Sequence, residues 1–206
     1  MTIKAIRPPN FGWLEKKLSA EEMKHLWTCV DEAELSVKHK LVGNIHESKL
    51  VLDKDGWFWD NTLSELIYLY EDEFGGLGKR VPSSGRHGYM LPSMWVNYQK
   101  QGEFNPSHGH TGVYSFVVWM KIPTDWEEQN KLPMAANSND PKISSFVFYY
   151  LNTQGGTEEW GYKLDSTYEG TMLFFPSTMF HAVYPFFNCE EDRISISGNI
   201  LLNTSQ

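Results

Sequence analysis

Three histidines and one arginine carry the chemistry this sequence can offer. His108 and His110 are separated by a single glycine, and residues two apart on an extended chain project to the same side, so their imidazoles can share one metal ion. Imidazole suits zinc, copper, iron and nickel, and ligand type alone does not choose among them. His181, opening the segment after Phe175-Pro176-Ser177, is the natural third ligand. Taken singly, a His-x-His triplet is more often a surface accident, and a histidine opening an apolar strand more often a packed residue. Together the three favour a metal site. Arg193 begins an alternating run in which Arg193, Ser195, Ser197 and Asn199 share one face and Ile194, Ile196 and Ile200 lie on the other. A half-exposed strand would show the same pattern. In a barrel lumen, however, that polar face suits a carboxylate, because a planar guanidinium can donate hydrogen bonds to both oxygens.

The elements that must position these residues are mostly strands. The alternation predicts a strand over 94–98, a loop over 102–107 and a long strand over 113–122 that is apolar on both faces. Further strands are expected over 145–151, 158–164, 171–175, 180–184 and 193–202, with turns at 137–141 and Gly155-Gly156 and no helix after Met94. Upstream, residues 1–18 read as an irregular lead. Ser19 with Glu22 makes a capping box for a helix over 20–34 whose apolar side carries Met23, Leu26, Trp27 and Val30. His25 and His39, without partners at ligand spacing, read as surface residues. Short extended pieces follow over 41–60, with a turn at 53–56. A second helix begins after Asp60 or Asn61, shows Leu63, Leu66, Ile67, Tyr70 and Phe74 at helical spacing, and closes at Gly75-Gly76. Residues 77–92 form a loop. Helices first and antiparallel strands afterwards predict helices outside a β-sandwich or jelly-roll barrel.

Composition narrows the classes. A chain of 206 residues with 41% hydrophobic content can bury a core as one domain. A net charge of -8, with no run of Lys or Arg longer than a pair, argues against a nucleic-acid surface. Aromatics at 15% favour sheets and deep pockets. Cys29 and Cys189 stand far apart and read as reduced thiols. The first residues lack a signal-peptide core, and no segment approaches the ~20 apolar residues of a membrane span. A soluble, unexported protein of the cytoplasm is expected, for which the sequon at 203–205 has no meaning.

The histidine pair, the distal histidine after Phe-Pro-Ser and the following Arg-x-Ser resemble the 2-oxoglutarate and Fe(II)-dependent oxygenases. More closely, Trp95-x-Asn97, Gly102, His108-x-His110, Ser115, Phe175-Pro176-Ser177, His181 and 193–197 resemble a subfamily of such oxygenases known from marine bacteria and their phages. The resemblance spans 92–202. It implies a double-stranded β-helix over 92–202, with residues 1–90 as helical support within a single domain 1–206. It further implies Fe(II) at one mouth held by His108 and His181, and 2-oxoglutarate chelating the metal. The distal carboxylate of 2-oxoglutarate would meet Arg193 and Ser195, with Asn97 beside them. The family's usual triad has a carboxylate where this chain has His110, so His110 would be a neutral third ligand and leave the iron more electropositive. Glu103, the nearest upstream acid, does not have the motif's spacing. Trp119, Phe174, Phe175 and Phe180 are candidates to line a dry pocket.

The implied activity is that of a dioxygenase, a hydroxylase consuming 2-oxoglutarate and O2. Its substrate is not readable: a protein side chain such as proline, a small molecule and a lipid all fit. A phage-borne gene would place it in the host cytoplasm. Two other readings stay open. A cupin metalloenzyme matches Gly102 with His108-x-His110 and partly matches Gly170 through Pro176 to His181, yet it gives Arg193 no role. A non-catalytic jelly-roll module would keep the histidines as structural residues only.

Overall fold

Alternate side chains of the apolar run 113–122 enter two different cores. The computed structural model describes residue 4, residues 10–82, residue 85 and residues 87–204, and the run forms strand β6 (Tyr114–Lys121). Tyr114, Phe116, Val118 and Met120 enter one apolar cluster, whereas Val117 and Trp119 enter another. A strand covered on both faces needs no polar side, which is why the sequence lacks one there.

In chain order the other strands are β1 (Leu14–Lys17), β2 (Glu47–Val51), β3 (Tyr89–Met90), β4 (Met94–Gln99), β5 (Asn105–His108), β7 (Ser145–Leu151), β8 (Thr157–Lys163), β9 (Thr171–Pro176), β10 (Phe180–Val183) and β11 (Arg193–Leu202). The larger sheet runs β1-β9-β6-β11-β4-β2, with β3 pairing to β11; the smaller runs β5-β10-β7-β8. All pairings are antiparallel. Val117, Trp119, Leu173 and Phe175 of the larger sheet meet Phe146, Phe148 and Tyr162 of the smaller one. Two sheets packed through aromatics in this way make the expected sandwich.

Helices α1 (Ala20–Asp31) and α2 (Ser64–Phe74) cover the outer face of the larger sheet. Their Leu26, Val30, Leu66, Ile67 and Tyr70 pack with Val96, Phe116, Phe174 and Ile196. Each such fully buried side chain contributes roughly 1.5–3 kcal/mol over leaving it in water. The capping box is formed, with Glu22 N–H donating to Ser19 Oγ and Ser19 N–H to Glu22 Oε2. Among the described residues, no helix is long and apolar enough to cross a membrane.

Several local expectations are corrected. Residues 14–17 are a strand, held by its ladder to β9 and not by an apolar pattern. The first helix ends at Asp31. The second helical run starts earlier, at Trp57, and passes through a π-turn over Trp59–Leu63, with the Asp53 carboxylate accepting the Phe58 and Trp59 N–H groups at its start. Part of the 102–107 loop is β5, recruited by β10. A short helix α3 (Trp126–Asn130) follows Met94 after all, capped by Asp125. His25 is no surface residue: it hydrogen-bonds Asp53 at 3.0 Å and lies 4.7 Å from the Trp57 ring. The N-terminal lead, apart from residues 4 and 10–18, and the last sequon position lie outside the described residues.

Candidate active site

His108 and His181 face each other across the ladder of β5 and β10 as direct partners, with ring centroids 4.4 Å apart. His110 reaches them differently. It has left the strand and sits in the turn that carries the chain from the smaller sheet to the larger, with its N–H donated to Ser177 O at 2.7 Å. His108 and His110 converge as their two-residue spacing anticipates, although His110 lies just past the end of β5. Gly112 shapes the turn that follows His110: its φ is +121°, and a Cβ there would lie 2.9 Å from Ile200 O. The ligand nitrogens of the three histidines all lie within 4.8 Å of one another, and His110 Nε2 is 3.3 Å from His181 Nε2.

Two of the three rings are fixed by backbone carbonyls. His108 Nδ1 lies 2.7 Å from Pro106 O, and His181 Nδ1 lies 3.1 Å from Met179 O. A carbonyl only accepts, so each Nδ1 must carry the proton, which leaves an Nε2 lone pair on each ring. His110 has no such anchor. Burial pulls all three below the usual histidine value. The neighbouring imidazoles add to the shift for His110, down to about 4, and for His181, down to about 3; at His108 the Pro106 carbonyl opposes it. At neutral pH the cluster is three uncharged nitrogen donors, a set that suits a borderline metal such as Fe(II).

The same cavity, of about 320 Å³, also holds Arg193, Ser195 and Asn97. Arg193 is 2% exposed. Its Nε donates to Gln99 Oε1 at 3.1 Å and its Nη2 to Tyr184 O at 2.6 Å, while Nη1 is buried with no partner. No carboxylate lies within ion-pair distance among the described residues, and burial lowers its pKa to about 9. An isolated charge costs several kcal/mol to bury unless an anion compensates it, so this geometry fits a carboxylate ligand. Asn97 accepts from Ser48 Oγ at 2.8 Å through Oδ1.

Trp119 and Phe175 line the cavity, as does Phe146, which stacks on His181 at 5.2 Å. Phe174 does not line it and belongs to the outer core under the helices, and Phe180 is 54% exposed. Glu103 is engaged elsewhere, with His46 and the Lys100 N–H. Sequence reasoning missed Gln99, although it extends the face of Asn97 by one period. Ser115 and Ser177, which with Asn199 the sequence singles out without a role, form a hydroxyl pair (2.9 Å), with Asn199 accepting from Ser115 at 2.7 Å, beside the turn that follows His110.

A family profile described as "Putative 2OG-Fe(II) oxygenase" matches residues 93–199, just over half of the chain. No curated protein matches the sequence. Among solved structures, an oxidoreductase of the 2OG-Fe(II) oxygenase family from Burkholderia pseudomallei aligns with a TM-score of 0.53 at 11% identity, over 90% of this chain and 81% of its own. The α-ketoglutarate-dependent carbocyclase SnoK of nogalamycin biosynthesis gives 0.53 at 8% identity, over 93% and 79%. A prolyl hydroxylase from Trichoplax adhaerens, in complex with a hypoxia inducible factor peptide, gives 0.50 at 12%, over 95% and 88%. These likenesses establish the double-stranded β-helix. With the profile spanning strands β4 to β11, the chain belongs to the 2-oxoglutarate- and Fe(II)-dependent oxygenases, a family of oxidoreductases, and His108, His110 and His181 form its metal site.

Proposed function

We propose that this oxygenase is a hydroxylase in which His108, His110 and His181 hold Fe(II) and Arg193 takes the distal carboxylate of 2-oxoglutarate, with Ser195 and Asn97 beside it. The observation that carries the reading is the unpaired Nη1 of a fully buried, uncompensated guanidinium in the same cavity as three neutral imidazoles. Bound together, Fe(II) and 2-oxoglutarate supply the oxidising power for O2-dependent hydroxylation of a C–H bond, 2-oxoglutarate leaving as succinate and CO2.

The chain's own part is positioning and exclusion. Gln99 and the Tyr184 carbonyl hold the guanidinium in one orientation, so its free edge is ready for a carboxylate without reorganisation. The Pro106 and Met179 carbonyls aim two imidazole lone pairs. Trp119, Phe146 and Phe175 keep the wall apolar and limit water. A cupin reading leaves Arg193 idle, which disfavours it. The Trichoplax relative hydroxylates prolyl residues by its name; hydroxylation, without that substrate, is what we extend to this chain. We also place it with the marine bacterial and phage subfamily, and read 1–90 as support and 92–202 as core of one domain.

Anaerobic titration of Fe(II) and 2-oxoglutarate, followed by the visible metal-to-ligand charge-transfer band, tests the reading. The band is expected in the wild type, absent in His181→Ala, and in Arg193→Ala only at much higher 2-oxoglutarate. Metal binding without the band would favour the cupin reading; binding of neither would favour a non-catalytic module.

A further inference from the structure

The chain carries 26 acidic and 18 basic residues, yet the walls of the active-site cavity contain no Asp or Glu at all. They contain Arg193 at the inner end and Lys38 and Lys40 at the outer end. Neither lysine has a carboxylate within ion-pair distance among the described residues. The acids of neighbouring segments are engaged by other partners: Glu47 by Lys49, and Glu103 by His46. Two ammonium groups without a carboxylate partner, exposed at an acid-free cavity in a protein of net charge -8, place positive potential at its entrance.

The segment bearing the lysines is built onto the cavity. Lys38–Lys40 is a 3-10 turn in a strap tied at both ends. Val37 N–H donates to Ser48 O at 2.9 Å, and Asn44 and Phe104 exchange backbone hydrogen bonds at 2.9 and 3.2 Å. Between these ties the strap passes against Asn105 so closely that a Cβ on Gly43 would sit 1.8 Å from Asn105 Oδ1. Asn105 begins β5, the strand that ends in His108. Leu41 and Val42 of the strap and Trp95, whose ring is 6.0 Å from that of His110, add apolar surface at the same end.

From this arrangement we propose that the primary substrate is a small molecule with an apolar body and an oxyanion group, carboxylate or phosphate, and that Lys38 and Lys40 bind that group. The inference rests on the oxygenase reading, in which Arg193 is already taken by 2-oxoglutarate; the outer lysines are therefore left for a second anion.

The test uses calorimetry on the full chain loaded anaerobically with Fe(II) and 2-oxoglutarate, with hexanoate against hexanamide and hexyl phosphate against hexanol as probes. The charged member of at least one pair is expected to bind the wild type in preference to the neutral one, and the pair with the larger preference identifies the oxyanion. Lys38→Gln/Lys40→Gln, two exposed changes, is expected to weaken the charged probe by about ten-fold while leaving the neutral one and the 2-oxoglutarate titration in place. No preference for charge in the wild type overturns the proposal, as does a preference that survives in the double variant. A double variant that loses 2-oxoglutarate by the same factor overturns it too, because the lysines would then serve the co-substrate. Absence of the charge-transfer band in the wild type counts instead against the oxygenase reading, on a separate signal.

Discussion

His110 Nε2 lies 3.3 Å from His181 Nε2, but only the His181 ring is tied to the backbone through its other nitrogen. With His181 Nδ1 protonated, His181 presents a lone pair, so in the absence of a cation His110 serves as the Nε2–H donor of that contact. Binding a metal through both Nε2 atoms requires His110 to change tautomer, whereas His108 and His181 are already set. His110 should therefore contribute less to affinity. We expect His108→Ala and His181→Ala each to weaken Fe(II) binding by more than about 100-fold and His110→Ala by about ten-fold. His110→Asp, which restores a charged third donor at this position, should bind Fe(II) more tightly than His110→Ala. Anaerobic metal titration of the four variants checks the order; equal losses for all three alanine variants would show that the missing anchor has no consequence.

Arg193 is costly with no anion beside it and useful with one. Replacing it with Met removes an uncompensated buried charge but strands Gln99 Oε1 and Tyr184 O, so the stability of the unliganded protein should change by no more than about 1–2 kcal/mol in either direction. The 2-oxoglutarate affinity should fall by about 100-fold, the scale of a lost charge-assisted hydrogen-bond pair. Thermal melts with and without 2-oxoglutarate measure both. The ligand-induced rise in Tm expected from linkage for the wild type should shrink in Arg193→Met and return only at about 100-fold higher 2-oxoglutarate.

What the sequence revealed and what it hid follow a physical division. The period-two face of 193–199 and the two-sided apolar run of β6 are local patterns imposed by burial, and both were readable. The Ser19 and Glu22 capping box is likewise local. By contrast, β5 is Asn-Pro-Ser-His, a poor strand former that exists because β10 offers a ladder. The strand over Leu14–Lys17 carries two lysines and a glutamate and is held by β9. Partners such as Gln99 for Arg193, 94 residues away in sequence, are set by register between strands, which composition does not encode. The convergence of His108 and His110 follows the spacing read from the sequence, while the ladder that sets His181 opposite His108 is a register between strands that the sequence does not state.

The histidine cluster should make the metal-free protein acid-sensitive. Unfolded histidines titrate near pH 6.5, while His110 and His181 hold out to about 4 and about 3 in the fold. Between those values the unfolded state binds more protons, so stability rises with pH through the window and levels off above about 6.5. As pH falls from about 6.5 towards about 4, the Tm of the metal-free protein should drop progressively, by an amount on the order of a few kcal/mol in stability. In His181→Ala the same descent should be shallower. Melts across this range in both proteins decide it, and parallel curves would remove the cluster as the cause.

Two glycines with positive φ separate backbone conformation from close packing. Gly102 has φ +77° and nothing within 4 Å of where a Cβ would stand, whereas Gly112 has φ +121° with Ile200 O at 2.9 Å. Alanine at Gly102 should cost about 1 kcal/mol through backbone strain alone and leave metal binding untouched. At Gly112 the same change adds a backbone clash that no side-chain movement relieves. The chain must therefore shift at the turn that places His110 and donates its N–H to Ser177 O. A loss of about 2–3 kcal/mol is expected there, accompanied by weakened Fe(II) binding comparable to that of His110→Ala. Chemical denaturation and metal titration of the two variants give the comparison. If Gly112→Ala lost stability but kept full Fe(II) affinity, His110 would not depend on this turn for its position, and its place as third ligand would have to come from the cation itself.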